Sequence, residues 1–425
     1  MTTARMGSQD GTRLLPLFAW LTASVFFFYA WILRVAPSVM VEELMRDFSV
    51  GAAVLGNLSA AYFYGYAGMQ IPVGLMLDRF GPRRLISAAA LTCGAGCVIF
   101  ATSDSLAAVT LGRFLIGASA AFSLVGSMAI AGQWFRPAQF ALLSGLAMAL
   151  GMAGGVFGQA PLRLAVEATD WRTTMLMLAA GGFAIGVCAF ATVRDRHRGS
   201  GGFGQVFTGL ASVVRHRQTW LIAIAGLGST APLLGFAGLW GVPFLQSAYG
   251  LSATEAAAVT SLMIAGWGVG APLFGWLSDR IARRCAPLLA GIALEMLCLA
   301  ALVLVPGLPV AILGGLSFGV GFFGSSQISC FALVRESHPV SLSGTGIGFV
   351  NGMVTGAGAL FQPLIGLCLD LAWKGETLGG ARLYDPDAYR WALMTLVAAC
   401  AVAFLCTLPI RETYCRPYNG GEAGS

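Results

Sequence analysis

The chain has few charged side chains and very few histidines. Of its 425 residues, 10% are charged and three are histidines. We find no HExxH motif, no GxSxG motif and no paired aspartates inside its apolar segments. The side chains that general acid–base catalysis requires are therefore scarce. A phosphate-binding loop is also missing, which argues against a reaction driven by ATP. These absences favour a protein that is not an enzyme.

The ten cysteines show no disulfide or metal-binding pattern. They lie in apolar segments or in loops that we assign to the cytoplasm, and none forms a CxxC pair or a cluster with histidine. Disulfide frameworks belong to oxidising compartments and metal sites need several ligands at short spacing. We therefore expect buried free thiols, no metal and no cofactor.

Apolar residues make up most of the chain and fall into long runs. The hydrophobic fraction is 57% and the mean hydropathy is +0.78. Runs of about 20 apolar residues are long enough for a helix to cross a bilayer, and helices satisfy their own backbone groups in lipid. The sequence predicts an all-α integral membrane protein with twelve transmembrane helices. The runs cover residues 14–40, 51–76, 85–103, 106–132, 139–164, 173–193, 219–245, 254–276, 285–305, 308–333, 342–371 and 389–410.

The basic residues indicate the orientation. The net charge is +6, and 17 of the 25 basic residues fall in segments that are cytoplasmic if both termini are cytoplasmic. Short loops rich in arginine and lysine stay on the cytoplasmic side of a membrane. We expect a multi-pass protein of the cell inner membrane with both termini inside, monomeric, in contact with the lipid bilayer and without a nucleic-acid partner.

The two halves of the chain carry the same landmarks. Asp78 and Asp279 each follow a run of similar sequence and lie 201 residues apart, while Pro161 and Pro363 lie 202 residues apart. A constant offset indicates a duplicated unit of six helices. Glycine and charge in the segment between the copies indicate a linker. We expect a first six-helix bundle over 1–193, a cytoplasmic linker over 194–218 and a second six-helix bundle over 219–425.

The segment from Gly74 to Arg84 has the pattern Gly-x-x-x-Asp-Arg-x-Gly-x-Arg-Arg. It resembles the signature loop of the major facilitator superfamily of secondary transporters. The second copy, from Gly275 to Arg284, is one residue shorter and has Ala282 in place of the glycine. This resemblance covers the whole chain and implies the major facilitator fold, with two pseudo-symmetric six-helix bundles. Residues 34–40, 361–370 and 411–415 are also similar to a branch of phagosomal-type nutrient transporters and lysosomal dipeptide carriers.

The resemblance implies a gate at the signature loops. Each aspartate is expected to contact arginines of its own loop and to lock the cytoplasmic side in one state. The simpler alternative is that the basic loops only set the orientation. The expected gating residues are Asp78, Arg79, Gly81, Arg83, Arg84, Asp279, Arg280, Arg283 and Arg284.

Two arginines, Arg34 and Arg113, lie inside predicted spans and away from the last residues of those spans. A charge near the membrane centre costs at least about 2.5–3.5 kcal/mol, so each requires a structural or functional explanation. Arg34 could bind a carboxylate or phosphate of a substrate, since a guanidinium suits bidentate pairing. Alternatively, the first helix ends early and Arg34 reaches the outer interface. Arg113, in a segment that resembles the arginine motif of the family's fourth helix, could serve substrate binding, proton coupling or helix packing.

Glu295 is the carboxylate near the middle of a predicted span. Burial favours the protonated form of such a group, as a proton carrier requires. The resemblance places its helix at the periphery, so a structural role is the alternative.

Further candidates for substrate contacts are aromatic and amide side chains within the predicted spans, although single aromatic residues there more often face lipid or the core. Amides have the stronger claim because they avoid lipid. These residues are Tyr62, Tyr66, Phe236, Trp240, Gln327, Asn351 and Gln362.

These observations predict a secondary transporter that works by alternating access and is coupled to protons. The excess of arginine favours a small polar solute with a carboxylate, such as an amino acid, a dipeptide or an organic acid. One alternative is a proton-driven exporter of drugs or siderophores. Another, of a different class, is a receptor or assembly factor that has the fold of a transporter but carries no flux.

Overall fold

The computed structural model describes residues 10–195, 203–339, 342–378 and 380–416. The described chain is almost entirely helical, as expected where backbone groups have no water to bind. Its helices are α1 (Asp10–Val35), α2 (Val41–Asp47), α3 (Ala52–Phe80), α4 (Pro82–Thr102), α5 (Leu106–Trp134), α6 (Pro137–Phe157), α7 (Ala160–Ala168), α8 (Trp171–Thr192), α9 (Phe203–Arg215), α10 (Arg217–Ala231), α11 (Gly241–Tyr249), α12 (Ala253–Arg280), α13 (Cys285–Leu304), α14 (Val310–Gly324), α15 (Ile328–Glu336), α16 (Ser343–Leu371) and α17 (Pro386–Thr407). Two short strands, β1 (Thr377–Leu378) and β2 (Ala381–Arg382), form an antiparallel hairpin before α17.

Ten helical spans of the described ranges are long and apolar enough to cross a membrane, and a bent pair formed by Leu142–Phe157 and Ala160–Ala168 raises the number to eleven. The remaining predicted span coincides with α3, a helix of 29 residues. Asn57, Gln70 and three tyrosines make α3 less apolar than the others. Each of the twelve predicted runs thus coincides with a helix or with helices joined end to end, and the all-α membrane fold is confirmed.

Three of the predicted spans are interrupted. Between α6 and α7 the chain bends by 41°. Between α10 and α11 lies a π-helical segment, Pro232–Trp240, in which every residue is buried. Between α14 and α15 a short 3-10 turn covers Ser325–Gln327. Such irregularities are tolerated at membrane depth only where neighbouring helices satisfy the freed backbone groups.

The predicted linker contains a helix. Helix α9 covers 13 of its residues and packs against α10 and α16. The glycine-rich stretch that precedes α9 lies outside the described residues, as does His197.

Helices α3 and α16 lie side by side and define two ends of the molecule. We call the end at which α3 finishes, beside Arg83, the signature end. The opposite end, where Ala52 begins α3 and Asp370 lies near the end of α16, is the far end.

Helix α3 is packed tightly at the far end and loosely at the signature end. A Cβ atom on Gly56 would lie 2.5 Å from the carbonyl oxygen of Gln362 on α16. Gly74 lies about five helical turns further along, on the same face. No described atom would come within 4 Å of a Cβ atom on Gly74. The face of α3 that touches α16 at the far end is therefore open at the signature end.

Helix α16 shows the matching difference. A Cβ atom on Gly366 would clash with the carbonyl oxygen of Ala52. Gly348 lies about five turns away on the same face, and no described atom would come within 4 Å of a Cβ atom there. The two helices therefore diverge from the far end toward the signature end.

Helices α6 and α12 diverge in the same direction. A Cβ atom on Gly155 of α6 would lie 2.9 Å from Ile264 of α12, and one on Gly268 would lie 3.1 Å from Met152. Gly275, about two turns nearer the signature end, has no described atom within 4 Å of a Cβ atom. In both pairs one helix belongs to the part of the chain up to residue 195 and the other to the part from residue 217 onward. These two parts are in contact at the far end and splayed at the signature end.

Candidate functional site

Arg34 lies in the last turn of α1 and is only 6% exposed. Its guanidinium carbon lies 4.2 Å from the ring centre of Trp31 and 4.7 Å from that of Tyr66. Its Nε donates a hydrogen bond to the hydroxyl of Tyr62 at 3.3 Å. Helix α1 ends one residue later, yet the side chain lies among aromatic rings rather than at an interface with water. Arginine over aromatic faces is stabilised by about 2 kcal/mol or more when desolvated.

Arg113 of α5 approaches Tyr62 from the other side. It is 1% exposed, and its guanidinium carbon lies 5.1 Å from the ring centre of Tyr62. Nη1 donates to the carbonyl oxygen of Leu33 at 2.7 Å, and Nη2 donates to that of Ser59 at 3.5 Å. Backbone acceptors of α1 and α3 therefore hold Arg113. The five residues Trp31, Arg34, Tyr62, Tyr66 and Arg113 form what we call the arginine pocket.

The arginine pocket holds two positive charges without a carboxylate. The ion pairs among the described residues involve neither Arg34 nor Arg113. Two buried donors, Nε1 of Trp31 and Nε of Arg113, also lack a hydrogen-bond partner within the described structure. Unpaired buried charge is costly, and so is an unpaired buried donor. The pocket is therefore suited to a ligand that is negatively charged and accepts hydrogen bonds.

The candidates of the seventh and eleventh predicted spans form a second cluster. Trp240 Nε1 donates to the carbonyl oxygen of Gln362 at 2.9 Å. The Gln362 amide donates to the carbonyl oxygen of Leu234 at 2.9 Å. Phe236 pairs with Phe244 at 5.9 Å between ring centres. The hydrogen bonds and ring pairs of the described side chains do not join this cluster to the arginine pocket.

The remaining amides lie apart from both clusters. Asn351 donates to the side-chain oxygen of Gln70 at 2.7 Å and so links α16 to α3. Gln327 is 3% exposed, and its Nε2 has no partner among the described atoms.

Gln159 joins the two parts of the chain through the π-helical segment. Its amide donates to the carbonyl oxygen of Ala237 at 2.7 Å, and its own oxygen accepts from the hydroxyl of Ser38 at 3.3 Å. Together with Gln362, it satisfies carbonyl groups that the π-helical geometry leaves available. Gln159 lies 78 positions from Ala237 and 121 from Ser38, so no local sequence pattern indicates these partners.

Asp370 closes the far end. Its carboxylate accepts hydrogen bonds from the backbone N–H groups of Ala52 and Ala53 at 3.1 and 3.0 Å. The Tyr384 hydroxyl donates to it at 2.5 Å and the Arg382 guanidinium at 3.1 Å. An anion at the N-terminus of α3 interacts favourably with the helix dipole. This contact links α16 to the N-terminus of α3.

The second signature loop carries an ion-pair network. Arg284 contacts Asp279 at 2.5 Å and Glu336 at 2.8 Å. Burial lowers the pKa of Arg284, but hydrogen bonds to Glu336 and Asp279 raise it more, so that the pKa stands above its ordinary value. Glu412 accepts hydrogen bonds from the backbone N–H groups of Arg284 and Cys285 at 2.7 and 2.9 Å. Arg284 therefore holds α12, α13 and α15 together.

The other expected gate residues of this loop lie outside the network. Arg283 is exposed, so the structure brings Arg284 and not Arg283 to Asp279. Arg280 is exposed and lies over the ring of Trp276. Ala282, which replaces the glycine of the first copy, has a φ of 50°.

The first signature loop is arranged around Asp195. The backbone N–H of Arg83 donates to Asp195 at 3.0 Å, and Nε of Arg83 donates to the carbonyl oxygen of Phe190 at 2.9 Å. Gly81 has a φ of 82°, and a Cβ atom there would clash with Asp195.

The remaining gate candidates of the first loop lie at its edge. Arg79 lies over the ring of Phe80, and Arg84 is exposed. The side chain of Asp78 lies outside the described residues, so its expected contact stays a prediction.

Several residues that contact the predicted site residues are not among those predicted from the sequence. Only some of these contacts could have been predicted from sequence spacing. Trp31 lies three residues before Arg34, so helical spacing alone places it on the same face. Glu336 ends α15, while Asp195 and Glu412 lie a few residues beyond α8 and α17. All three are far along the chain from the loops that they contact, and no local pattern connects them.

Comparison with known proteins places these observations in a family. The family model of the Major Facilitator Superfamily matches residues 20–363 and 235–417. A probable sulfoacetate transporter of Cupriavidus necator is 24% identical over 80% of this chain and 84% of its own. A probable nitrate/nitrite transporter of Mycobacterium tuberculosis is 28% identical over 92% of this chain and 94% of its own.

Solved structures show the same fold. A bacterial homologue of the human lysosomal transporter Spinster, in an inward-facing and unoccupied conformation, has a TM-score of 0.77. It is 17% identical, and the similarity covers 98% of this chain and 100% of that one. The helices, the family match and these relatives together identify a multi-pass membrane transporter and not an enzyme. The chain belongs to the major facilitator superfamily.

Proposed function

We propose that the protein carries a small anion across the membrane, with a carboxylate as its principal charged group. The observation that carries this proposal is the arginine pocket, where Arg34 and Arg113 both lie within 5.5 Å of the Tyr62 ring centre and neither pairs with a carboxylate. An anionic substrate would supply the missing charge.

The two arginines have different tasks in this proposal. Arg113 is already bound to carbonyl oxygens of α1 and α3, so it supplies a fixed positive field. Arg34 instead interacts with tyrosine side chains: its Nε donates to the hydroxyl of Tyr62, and the Tyr66 side chain is a second hydrogen-bonding neighbour. In this proposal an oxyanion takes the place of these weaker partners in a bidentate contact with the guanidinium. Tyr62 and Tyr66 stack at 6.0 Å between ring centres and form one wall.

The names of the relatives support an anion. Sulfoacetate and nitrate, which two of them are named for, are small oxyanions. A carboxylate is our choice for this chain because the arginine pocket offers both a bidentate guanidinium and aromatic surface for the rest of an organic anion.

Alternating access is the mechanism that we propose, with 1–193 and 219–425 as the moving halves and 194–218 as their linker. The far-end contacts of α3 with α16 and the open space at their signature end support one state of such a cycle. With both termini cytoplasmic, this state opens toward the cytoplasm. Closing the signature end and breaking the contacts of Asp370 and Gln159 would produce the other state.

Uptake into proteoliposomes tests the substrate class. We expect saturable counterflow of a small carboxylate, and we expect Arg34→Ala to abolish it. Arg34→Lys retains the charge but should lower the affinity at least about tenfold, since a lysine cannot form the bidentate contact. Arg46→Ala is the control, because Arg46 is an arginine of the far end whose side chain is 54% exposed.

Two outcomes would contradict the proposal. Wild-type affinity in Arg34→Ala would remove Arg34 from the binding site. The absence of flux for every anion tested, in protein that is stabilised by none of them, would favour a receptor or assembly role over transport.

A further inference from the structure

A buried carboxylate in the second part of the chain lies apart from the arginine pocket. Glu295, in the middle of α13, is 1% exposed. The hydroxyl of Ser229 on α10 lies 2.9 Å from its Oε2, and the same hydroxyl lies 3.1 Å from the carbonyl oxygen of Gly324 at the end of α14. Three helices thus meet at one hydroxyl group.

The side chains around Glu295 do not offset a negative charge. The ion pairs of the described residues do not include Glu295. Helices α10, α12 and α14 contribute Ser229, Trp267 and Gly324 to this region. Its titratable neighbours are two thiols, Cys298 of the same helix and Cys400 of α17.

Counting hydrogens distinguishes the two protonation states. A serine hydroxyl has one hydrogen to donate. If Glu295 is ionised, Ser229 faces two acceptors and can satisfy only one of them. If Glu295 carries a proton, the carboxyl donates to Ser229, and Ser229 donates to the carbonyl oxygen of Gly324. Only the protonated carboxyl gives both contacts their hydrogen.

The Glu295 carboxyl group can take part in these hydrogen bonds because it lies close to the backbone of Gly324, which has no side chain. A Cβ atom on Gly324 would lie 2.5 Å from Oε1 of Glu295. The carboxyl group therefore rests against the backbone where α14 gives way to the 3-10 turn. At the other end of the chain of hydrogen bonds, Ser229 lies three residues before the π-helical segment. The hydrogen bonds thus connect the start of the π-helical segment, which contains Trp240, with the start of the 3-10 turn, which contains Gln327.

We propose that Glu295 is a proton-binding site, occupied in this state, whose proton ties α10 to α14 through Ser229. Loss of the proton removes one hydrogen from the chain and frees either the carbonyl of Gly324 or the carboxylate. The irregular points of α10 and α14 then separate, which links proton release to movement of the second half. This proposal rests on the proposed transport function, but the proton site is distinct from the anion pocket.

Infrared spectroscopy of the purified protein tests occupancy without a substrate. We expect the C=O stretching band of a protonated carboxyl group at neutral pH, lost in Glu295→Gln and kept in Glu255→Gln, which changes an exposed carboxylate. Ser229→Ala should shift this band, because the carboxyl loses its hydrogen-bond partner. If the infrared spectra of wild type and Glu295→Gln are identical in the region of the protonated carboxyl band, the proposal is overturned. The shift in Ser229→Ala tests the same band in a variant that retains the glutamate.

Transport measurements test the coupling. We expect uptake that varies with pH in wild type and is flat in Glu295→Gln, while anions stabilise both proteins equally. Unchanged pH dependence in Glu295→Gln would overturn the coupling role. If no anion stabilises the wild type, the proposed function fails, and the infrared result still decides whether Glu295 carries a proton.

Discussion

The two ends of the molecule use their carboxylates in different ways. At the far end, Asp370 bonds to the N-terminus of α3, and Glu167 accepts from Thr254 at 3.1 Å. Both contacts join residues from different parts of the chain. At the signature end, Asp195 bonds to Arg83, and Glu336 bonds to Arg284, and each of these contacts stays within one part. Carboxylate contacts between the two parts therefore hold the far end closed, whereas the carboxylates of the open signature end are satisfied within each part.

The largest effect is expected from filling the tight end of α3. Gly56→Leu would push a side chain into the backbone of Gln362 and disfavour the closed far end by about 1–3 kcal/mol, or roughly 5- to 150-fold in the equilibrium between states. Uptake should fall by a similar factor, and the distance between spin labels at the far end should increase.

Gly74→Leu is the matched control, since Gly74 lies on the same face of the same helix but faces open space. We expect it to leave the far-end distance unchanged and to hinder closure of the signature end instead. Equal far-end distances in Gly56→Leu and wild type would show that the tight contact does not set the state.

A smaller effect is expected at the second signature loop. Arg284→Ala removes the partner of Asp279 and Glu336 and should destabilise the protein by about 2 kcal/mol, because two partly buried contacts are lost. The melting temperature should fall, whereas the balance between states should not move, since all partners belong to the same part of the chain. Arg283→Ala changes the exposed neighbour and should have almost no effect. A large shift between states in Arg284→Ala would contradict the difference between the ends.

The smallest of the three effects is expected for the far-end cap. Asp370→Asn removes the charge at the N-terminus of α3 and should weaken closure by about 1 kcal/mol. Amide hydrogen exchange at Ala52 and Ala53 should then rise roughly fivefold. Asp385→Asn is the control, because Asp385 caps α17 by accepting from Ala388 within the same part of the chain. If Asp385→Asn changes uptake as much as Asp370→Asn does, the cap at Asp370 stabilises a single helix and does not hold the two parts of the chain together at the far end.

Hydropathy predicts the fold well because the bilayer requires every span to be an apolar helix of about 20 residues. It fails at the interruptions, since the residues of the π-helical segment Pro232–Trp240 are as apolar as those of a regular helix. Helix α9 was missed because glycine and charge on both sides of it dominate the composition of the linker. These features depend on packing against other helices, which a window of sequence does not contain.

The site is predictable only in part. Charge in an apolar run identifies Arg34, Arg113 and Glu295 without any structure, and helical spacing brings Tyr66 to Tyr62. Their partners could not be predicted in the same way. The acceptors of Arg113 are backbone carbonyl groups, and any residue type could provide them. Ser229 lies 66 positions from Glu295, so only the tertiary arrangement of the helices brings the two together.

The π-helical segment makes one stretch of the chain far more sensitive to length than to composition. Removing a single residue between Pro232 and Trp240 would still leave a helix, but all that follows would turn by about 100°. The Trp240 indole would then leave the carbonyl oxygen of Gln362, and the carbonyl of Ala237 would leave Gln159. Conservative substitutions here should be tolerated much better than any deletion, so a library of single-residue deletions would locate this segment by function alone.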